Sequence, residues 1–353
     1  MTHFVIEQLA ERIRDAAETR TPLRIRGAGS KDFYAESLAG DLLDVSNYRG
    51  IVDYEPTELV ITARAGTPIT DIEAALAEHN QLLCFEPPRF AGQGTLGGAI
   101  AAGLSGPRRP YAGAARDLVL GLRVLDGRGK NLVFGGQVIK NVAGFDVARL
   151  LVGSMGTLAV LLEISLKTLP RSPTDTTLRF AMSEQEALHA MNQWAGKPLP
   201  ISATCYSDGT LTIRLSGARA AVSAARKSLG GEALDQAQKF WDGIRDQSAA
   251  FFTDATTLWR VSLPSTAPPL LLAQRQLVEW GGALRWISGD LDAIKLRESV
   301  AALGGHATLF RTKTKSAPVF HPLAPALAAI HRKLKAAMDP QSIFNPGRMY
   351  PDL

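Results

Sequence analysis

Six residues, Gly92-Gln93-Gly94-Thr95-Leu96-Gly97, match the G-x-G-x-x-G spacing of loops that bring backbone amides against a pyrophosphate. A Rossmann crossover needs a buried strand immediately before the first glycine. Here Pro87-Pro88-Arg89-Phe90 stands in that place, and proline donates no ladder hydrogen bond. The phosphate chemistry survives the loss of that fold. Gly94-Thr95-Leu96-Gly97-Gly98 can expose successive N–H groups, because glycine permits close approach and unusual dihedrals, and Thr95 adds a hydroxyl. Gly27-Ala28-Gly29-Ser30-Lys31 is a second such run, directly after the apolar stretch Leu23–Arg26 and ending in an ammonium. Either loop alone reads better as a tight turn. Two of them in one strand-rich region fit a diphosphate gripped from two sides.

The remaining chemistry is sparse. The six histidines (His3, His79, His189, His306, His321, His331) show no H-x-H or H-x-x-x-H spacing, so no metal centre is expected. Cys84 and Cys205 lie far apart, which argues against a disulfide framework, a zinc knuckle or an iron–sulfur cluster held by this chain. His306 follows Gly304-Gly305 and precedes a strand, where it could serve as a general base; it could equally be satisfied by backbone, with no acid beside it. Arg260 and Arg311, in or beside apolar strands, could clamp a carboxylate bidentately or pair with an acid of their own domain. His306, Arg260 and Arg311 are therefore the candidate catalytic residues. Trp241, Phe251 and Phe252 read either as a partner-docking surface or as helix packing.

These residues must be positioned by a folded chain. The 353 residues, 46% hydrophobic and 21% charged, suit about two globular domains. The net charge of +5 is spread thinly, without the basic stripe of a nucleic-acid binder. Residues Met1–Arg14 carry Glu7 and Glu11 and no apolar core, unlike a secretory leader. The longest apolar stretch, Leu150–Leu162, is interrupted by glycines and is short of the roughly 20 residues that span a membrane. The expected location is cytoplasmic, with any membrane association through partners.

An opening helix (Phe4–Thr19) precedes strands at Leu23–Arg26, Leu42–Val45, Ile51–Tyr54 and Leu59–Ala65. A helix from Thr67 to about Asn80, a hairpin turning at Asp126-Gly127-Arg128-Gly129, a helix at Asp146–Val152 and a strand at Leu158–Leu169 follow. Arg171–Thr176 reads as a linker. Beyond it come strands Ile201–Tyr206 and Thr210–Leu215, helices Ala218–Leu229 and Gln236–Phe252, and strands Leu258–Leu263, Ala283–Ile287 and Ala307–Arg311. With a helix at Leu291–Leu303, this order indicates an α+β second domain with an antiparallel sheet. A helix at Ala324–Met338 and a coil close the chain.

Several long strings make the sequence recognisable: RIRGAGS (24–30), EPPRFAGQGTLGGAIAAGLSGPRRPYAGAARDLVLG (86–121), KNVAGFDVARLLVGSMGTLAVLLEISLKTLP (140–170), KFWDGIRDQSAAFF (239–252), LWRVSLPST (258–266), GGHATLFR (304–311) and DPQSIFNPGRM (339–349). The chain resembles the vanillyl-alcohol oxidase / p-cresol methylhydroxylase (PCMH-type) flavoprotein superfamily and, within it, the FAD-binding subunits of glycolate oxidases. The resemblance implies an α+β fold: a two-subdomain FAD-binding domain (1–171), a smaller α+β cap with an antiparallel sheet (172–323), and a C-terminal helix and coil (324–353) returning to the first domain.

It further implies that Gly27, Ala28, Gly29, Ser30 and Lys31, with Gly94, Thr95, Leu96, Gly97 and Gly98, hold the FAD pyrophosphate. Ala101, Ala102, Ser105 and Gly106 are expected beside the isoalloxazine, and Gly153, Gly156 and Val160 on the adenosine side. Asn345-Pro346-Gly347-Arg348 returns to the flavin, where Arg348 could favour the anionic reduced ring. Covalent members carry histidine where this chain has Ser30, so FAD is expected to be non-covalent. Relatives that oxidise 2-hydroxy acids unaided carry an HxGDGNxH-like string in the second domain, which is missing here. Met155 also replaces the acid of the usual GSEGT. The implied function is that of an accessory or electron-relay subunit in oxidation of glycolate or a similar small 2-hydroxy acid. Its partners would be a GlcD-like flavoprotein subunit and a GlcF-like iron–sulfur subunit. The alternative is a stand-alone FAD-dependent oxidoreductase for another small substrate.

Overall fold

The computed structural model describes residues 2–36, 38–136, 145–315 and 317–353. Lys140-Asn141 next to Gly144, which the sequence offers as a flavin-domain contact or simply a loop cap, lies outside the described residues. The chain divides into two compact units. The first holds residues 1–104, 114–170 and 322–353, and the second holds 105–113 and 171–321.

In the first unit, helix Thr2–Thr19 buries Ile6, Leu9, Ala10, Ile13 and Ala16, the one-sided set that a 3.6-residue period produces. That face packs with Leu43, Leu125, Val160, Leu162 and Phe344 into one core cluster. Strands β1 (Leu23–Arg26) and β2 (Asp41–Asp44) pair in parallel. An antiparallel sheet follows from β3 (Ile51–Glu55), β4 (Val60–Arg64), β6 (Val119–Leu125), β7 (Asn131–Gly135) and β8 (Val160–Lys167), in the order β3-β4-β8-β6-β7. Strand β8 is central and its near-continuous apolar run is buried, whereas edge strand β7 alternates exposed and partly buried residues. A short pair, β5 (Gln81–Leu82) and β9 (Leu169–Pro170), completes the unit's sheets.

The second unit is built on eight strands: β10 (Thr174–Ala181), β11 (Ile201–Ser207), β12 (Thr210–Gly217), β13 (Glu232–Ala233), β14 (Thr257–Ser262), β15 (Arg275–Glu279), β16 (Leu284–Ser288) and β17 (His306–Thr312). Their order is β13-β10-β12-β11-β15-β16-β14-β17, and each neighbouring pair is antiparallel. Two apolar clusters support it. One centres on Leu178, Ile213 and Leu215; the other places helix Ala293–Ala302 against Trp259, Val261 and Ile287.

Three local readings change. Half of the expected linker is strand β10, whose Thr174–Ala181 pair with β12 along their whole length. The single helix expected over Gln236–Phe252 is two, Ala237–Arg245 and Ala250–Thr253; Gln247, between them, takes φ 56°. Ser105–Gly113 groups with the second unit, where the Trp280 indole donates to the Gly106 carbonyl at 3.0 Å.

Candidate functional site

Strand β1 ends at Arg26 and delivers the chain into Gly27–Lys31. Gly29 takes φ 74°, which glycine adopts without strain. The amides of residues 27–31 have no hydrogen-bond partner among the described residues. The chain closes its turn just afterwards, through Asp32 N–H to Gly29 O at 3.0 Å and Tyr34 N–H to Lys31 O at 3.1 Å. Five consecutive donors left open in a curved loop form an anion-binding nest.

The second loop behaves differently. Gly94 N–H is spent on Arg89 O, Leu96 N–H on Thr67 O, and Gly97 N–H on Ala65 O, at 3.0, 2.8 and 2.8 Å. Gly98 N–H goes to the Thr95 hydroxyl at 3.3 Å, which makes Thr95 the N-cap of helix Leu96–Ala102. Gly97 is needed for packing rather than for a phosphate, since a Cβ there would lie 2.7 Å from Ala65 Cβ. Four of the loop's five amides are thus spent inside the protein, and only that of Thr95 stays open among the described residues. What it offers outward is Thr95, whose Oγ1 lies 2.5 Å from where a Cβ on Gly27 would stand.

One cavity collects most of the expected set: Gly27, Ala28, Gly29, Ser30 and Lys31 with Thr95, Gly98, Ala101, Ala102 and Arg348. Sequence reasoning missed Arg26, Asp32, Leu38 and Met155 on the same wall. Lys31 Nζ reaches Ser30 Oγ at 3.3 Å and lies 5.5 Å from the Phe90 ring centroid. Burial lowers its ammonium to about 8. Arg26 pairs with Asp32 at 3.0 Å. Arg348 is buried, with Nη2 donating to Lys31 O at 3.2 Å and Nη1 to Glu36 O at 3.3 Å, so it braces the end of the nest. Burial also pulls its guanidinium below the ordinary value.

The C-terminal coil is fastened from within. Asn345 Oδ1 accepts from Ile25 N–H at 2.9 Å, while its Nδ2 donates to Met155 O at 2.7 Å. The buried Lys335 pairs with Asp339 at 2.9 Å and donates to the carbonyls of Thr157 and Phe344 at 2.8 Å each. One amide side chain therefore ties the strand that feeds the nest to the loop carrying Met155. No composition or period signals that tie.

Other expected residues lie elsewhere. Gly94, Leu96 and Gly97 support the second turn. Gly153 N–H donates to Ile100 O at 3.0 Å, docking its loop on helix Leu96–Ala102. Gly156, at φ 72°, leaves room for Asn345, whose Nδ2 lies 2.7 Å from where a Cβ would stand. Val160 is a fully buried core residue facing Leu125, not a cavity wall. Ser105 and Gly106 belong to the second unit.

In that second unit, Arg260 pairs with Thr308 and His306 with Ser262 across β14 and β17, so the Arg260 and His306 side chains share a sheet face. The Arg260 guanidinium stacks 5.3 Å from the Trp280 ring, and Arg109 takes a position 4.4 Å from the same ring. Burial first, then the charges of Arg260 and His321, hold the His306 imidazole below its usual value. Arg311 does not join them; its Nη2 donates to Phe252 O at 3.0 Å. Trp241, Phe251 and Phe252 are buried, and the Trp241 indole donates to Thr177 at 3.0 Å. They are core, not a docking surface. Among the described residues no group of three or more His, Cys, Asp or Glu could hold a metal, and no helix is long and apolar enough to cross a membrane.

Residues 5–135 match the family described as FAD binding domain. Over 347 residues the chain is 48% identical to the glycolate oxidase subunit GlcE of Escherichia coli (strain K12), covering 98% of each chain. It is 30% identical over 174 residues to the glycolate oxidase subunit GlcD of Bacillus subtilis (strain 168), which is 49% of this chain and 37% of that one. Among solved structures, alkyldihydroxyacetonephosphate synthase superposes with a TM-score of 0.66 at 13% identity, over 96% of this chain and 75% of that one. At that identity the likeness is one of fold.

Proposed function

Because the chain belongs to the glycolate oxidase subunit GlcE family of FAD-binding oxidoreductases, we propose that it is the FAD-binding subunit of a glycolate oxidase complex. The complex oxidises glycolate, or a similar small 2-hydroxy acid, to the 2-oxo acid. The observation that carries the reading is the open loop: five unpartnered amides at Gly27–Lys31, in a cavity that also receives Lys31 and Arg348. A diphosphate dianion satisfies those donors and cations together.

When bound, FAD supplies the redox chemistry. The chain's own residues bind and orient. Gly27–Lys31 hold the diphosphate, Thr95 offers its hydroxyl beside them, and Ala101 and Ala102 keep one wall free of bulk. Ser30 leaves no histidine in the first loop for a covalent bond, so acid precipitation of the yellow protein should leave all the flavin in the supernatant.

The accessory role rests on the missing HxGDGNxH-like string and on a catalytic set that is only half assembled. Arg260 and His306 share a sheet face, but Arg311 is occupied by a backbone carbonyl. The proposed partners are a GlcD-like flavoprotein subunit and a GlcF-like iron–sulfur subunit. Glycolate turnover with an artificial acceptor, measured for the isolated chain and for the reconstituted complex, tests this. Activity only in the complex is expected. Equal turnover by the isolated chain would favour a stand-alone oxidoreductase with His306 as base.

A further inference from the structure

We infer that Lys31 is the charge partner of the bound diphosphate and that the cofactor enters together with a proton on this side chain. The inference rests on the reading of this loop as the FAD site and adds how that site responds to pH.

The geometry comes first. Lys31 stands at the end of the five open amides. Its ammonium meets a hydroxyl, Ser30 Oγ at 3.3 Å, and an aromatic ring, Phe90 at 5.5 Å. From the helix side, Nζ lies 3.8 Å from where a Cβ on Gly98 would stand. Among the described residues no carboxylate pairs with it. The cavity's one acid, Asp32, is engaged by Arg26 at 3.0 Å. Arg348 is braced on the loop's own carbonyls, donating to Lys31 O and Asp32 O, and so holds the end of the nest in place. A largely buried ammonium without an acid to pair with sheds its proton easily. In keeping with this, burial alone already brings it to about 8.

A phosphate oxygen in the nest reverses the balance by supplying the missing opposite charge. Free protein above that pH holds Lys31 neutral, and bound protein holds it charged, so binding takes up a proton. The sign follows from linkage: affinity is highest at low pH and falls as pH rises past the free-state value. The other charged groups of the cavity and its brace are the Arg24, Arg26 and Arg348 guanidinia and the Asp32 and Glu36 carboxylates; all are retained in Lys31→Arg, so a slope owed to any of them would persist in that variant. Tyr34, also near Arg348, is a phenol and is covered by the control below.

The experiment is FAD binding to apoprotein, followed by quenching of flavin fluorescence, at pH 7 to 9 and fixed ionic strength. Wild type should lose about tenfold in affinity across that range, one proton's worth for a group that titrates at its centre. Lys31→Arg, charged throughout, should bind at pH 7 about as well and show no slope. Lys31→Met should be weaker at pH 7 and equally flat, with far-UV circular dichroism unchanged. Calorimetry at pH 8.5 in two buffers of different ionisation heat should report about one proton taken up by wild type and none by Lys31→Arg. A flat wild-type profile, or a slope that persists in Lys31→Arg, overturns the inference while leaving the FAD site intact. Failure of wild type to bind FAD at pH 7 overturns the site and the inference together.

Discussion

The two glycine loops of the first unit look alike in sequence and do different work. Gly27–Lys31 keeps five amides open and places its bonds after the turn. Gly94–Gly98 spends four of its five amides, on Arg89, Thr67, Ala65 and its own Thr95 hydroxyl, and keeps only that of Thr95 open. Glycine in the first loop leaves donors open for the proposed diphosphate; glycine in the second lets a helix start against the end of β4. A nest is therefore defined by which donors the fold leaves unspent, and glycine content does not reveal that.

The sharpest separation of the two loops comes from Gly97→Asp. The residue is buried against Ala65, so the variant should lose about 3 kcal/mol or more of stability through overpacking and an unpaired buried charge. Urea denaturation of the apoprotein reads this directly. A variant of wild-type stability that had merely lost FAD would return Gly97 to the phosphate. Asn345→Ala comes next. It removes two hydrogen bonds that join β1 to the Met155 loop, and a cost of about 2 kcal/mol is expected, with flavin lost on gel filtration.

Gly29→Ala probes the first loop itself. Its positive φ makes alanine cost about 1 kcal/mol in the fold, whereas FAD affinity should drop about tenfold or more as the amides turn out of line. Equal affinity in titration would show that those amides point at nothing. Thr95→Val is the mildest change, about 1 kcal/mol of lost helix capping in thermal melts, because its hydroxyl holds only Gly98 N–H within the protein.

Much of this was legible locally. Strand β1, the 126–129 hairpin and the helix before Asn80 follow from period-2 and period-3.6 patterns and turn residues, and both loops stood out by composition. The fate of the second loop's amides did not, because their acceptors on Ala65 and Thr67 lie some thirty residues earlier and meet them only after the sheet forms. Val160 stands apart from the cavity for a related reason. Its apolar run marks a central strand buried between β4 and β6, which outweighs the glycines beside it. Strand β10 was read in part as linker because Thr174-Asp175-Thr176-Thr177 is polar; pairing with β12, not hydrophobic alternation, makes it a strand. Met155 reaches the cavity at φ 54°, a conformation that nothing in its side chain advertises.

The Asn345 tie has a consequence for biosynthesis. The strand that launches the nest takes one of its hydrogen bonds from a residue 320 positions later, and the brace at Arg348 comes later still. While the ribosome is still making the second unit, Gly27–Lys31 has emerged without its clamp. Closing so long a segment is slow compared with local folding. Cofactor loading is therefore expected to wait for Asn345 and Arg348, and chains truncated before Asn345 should accumulate as colourless protein.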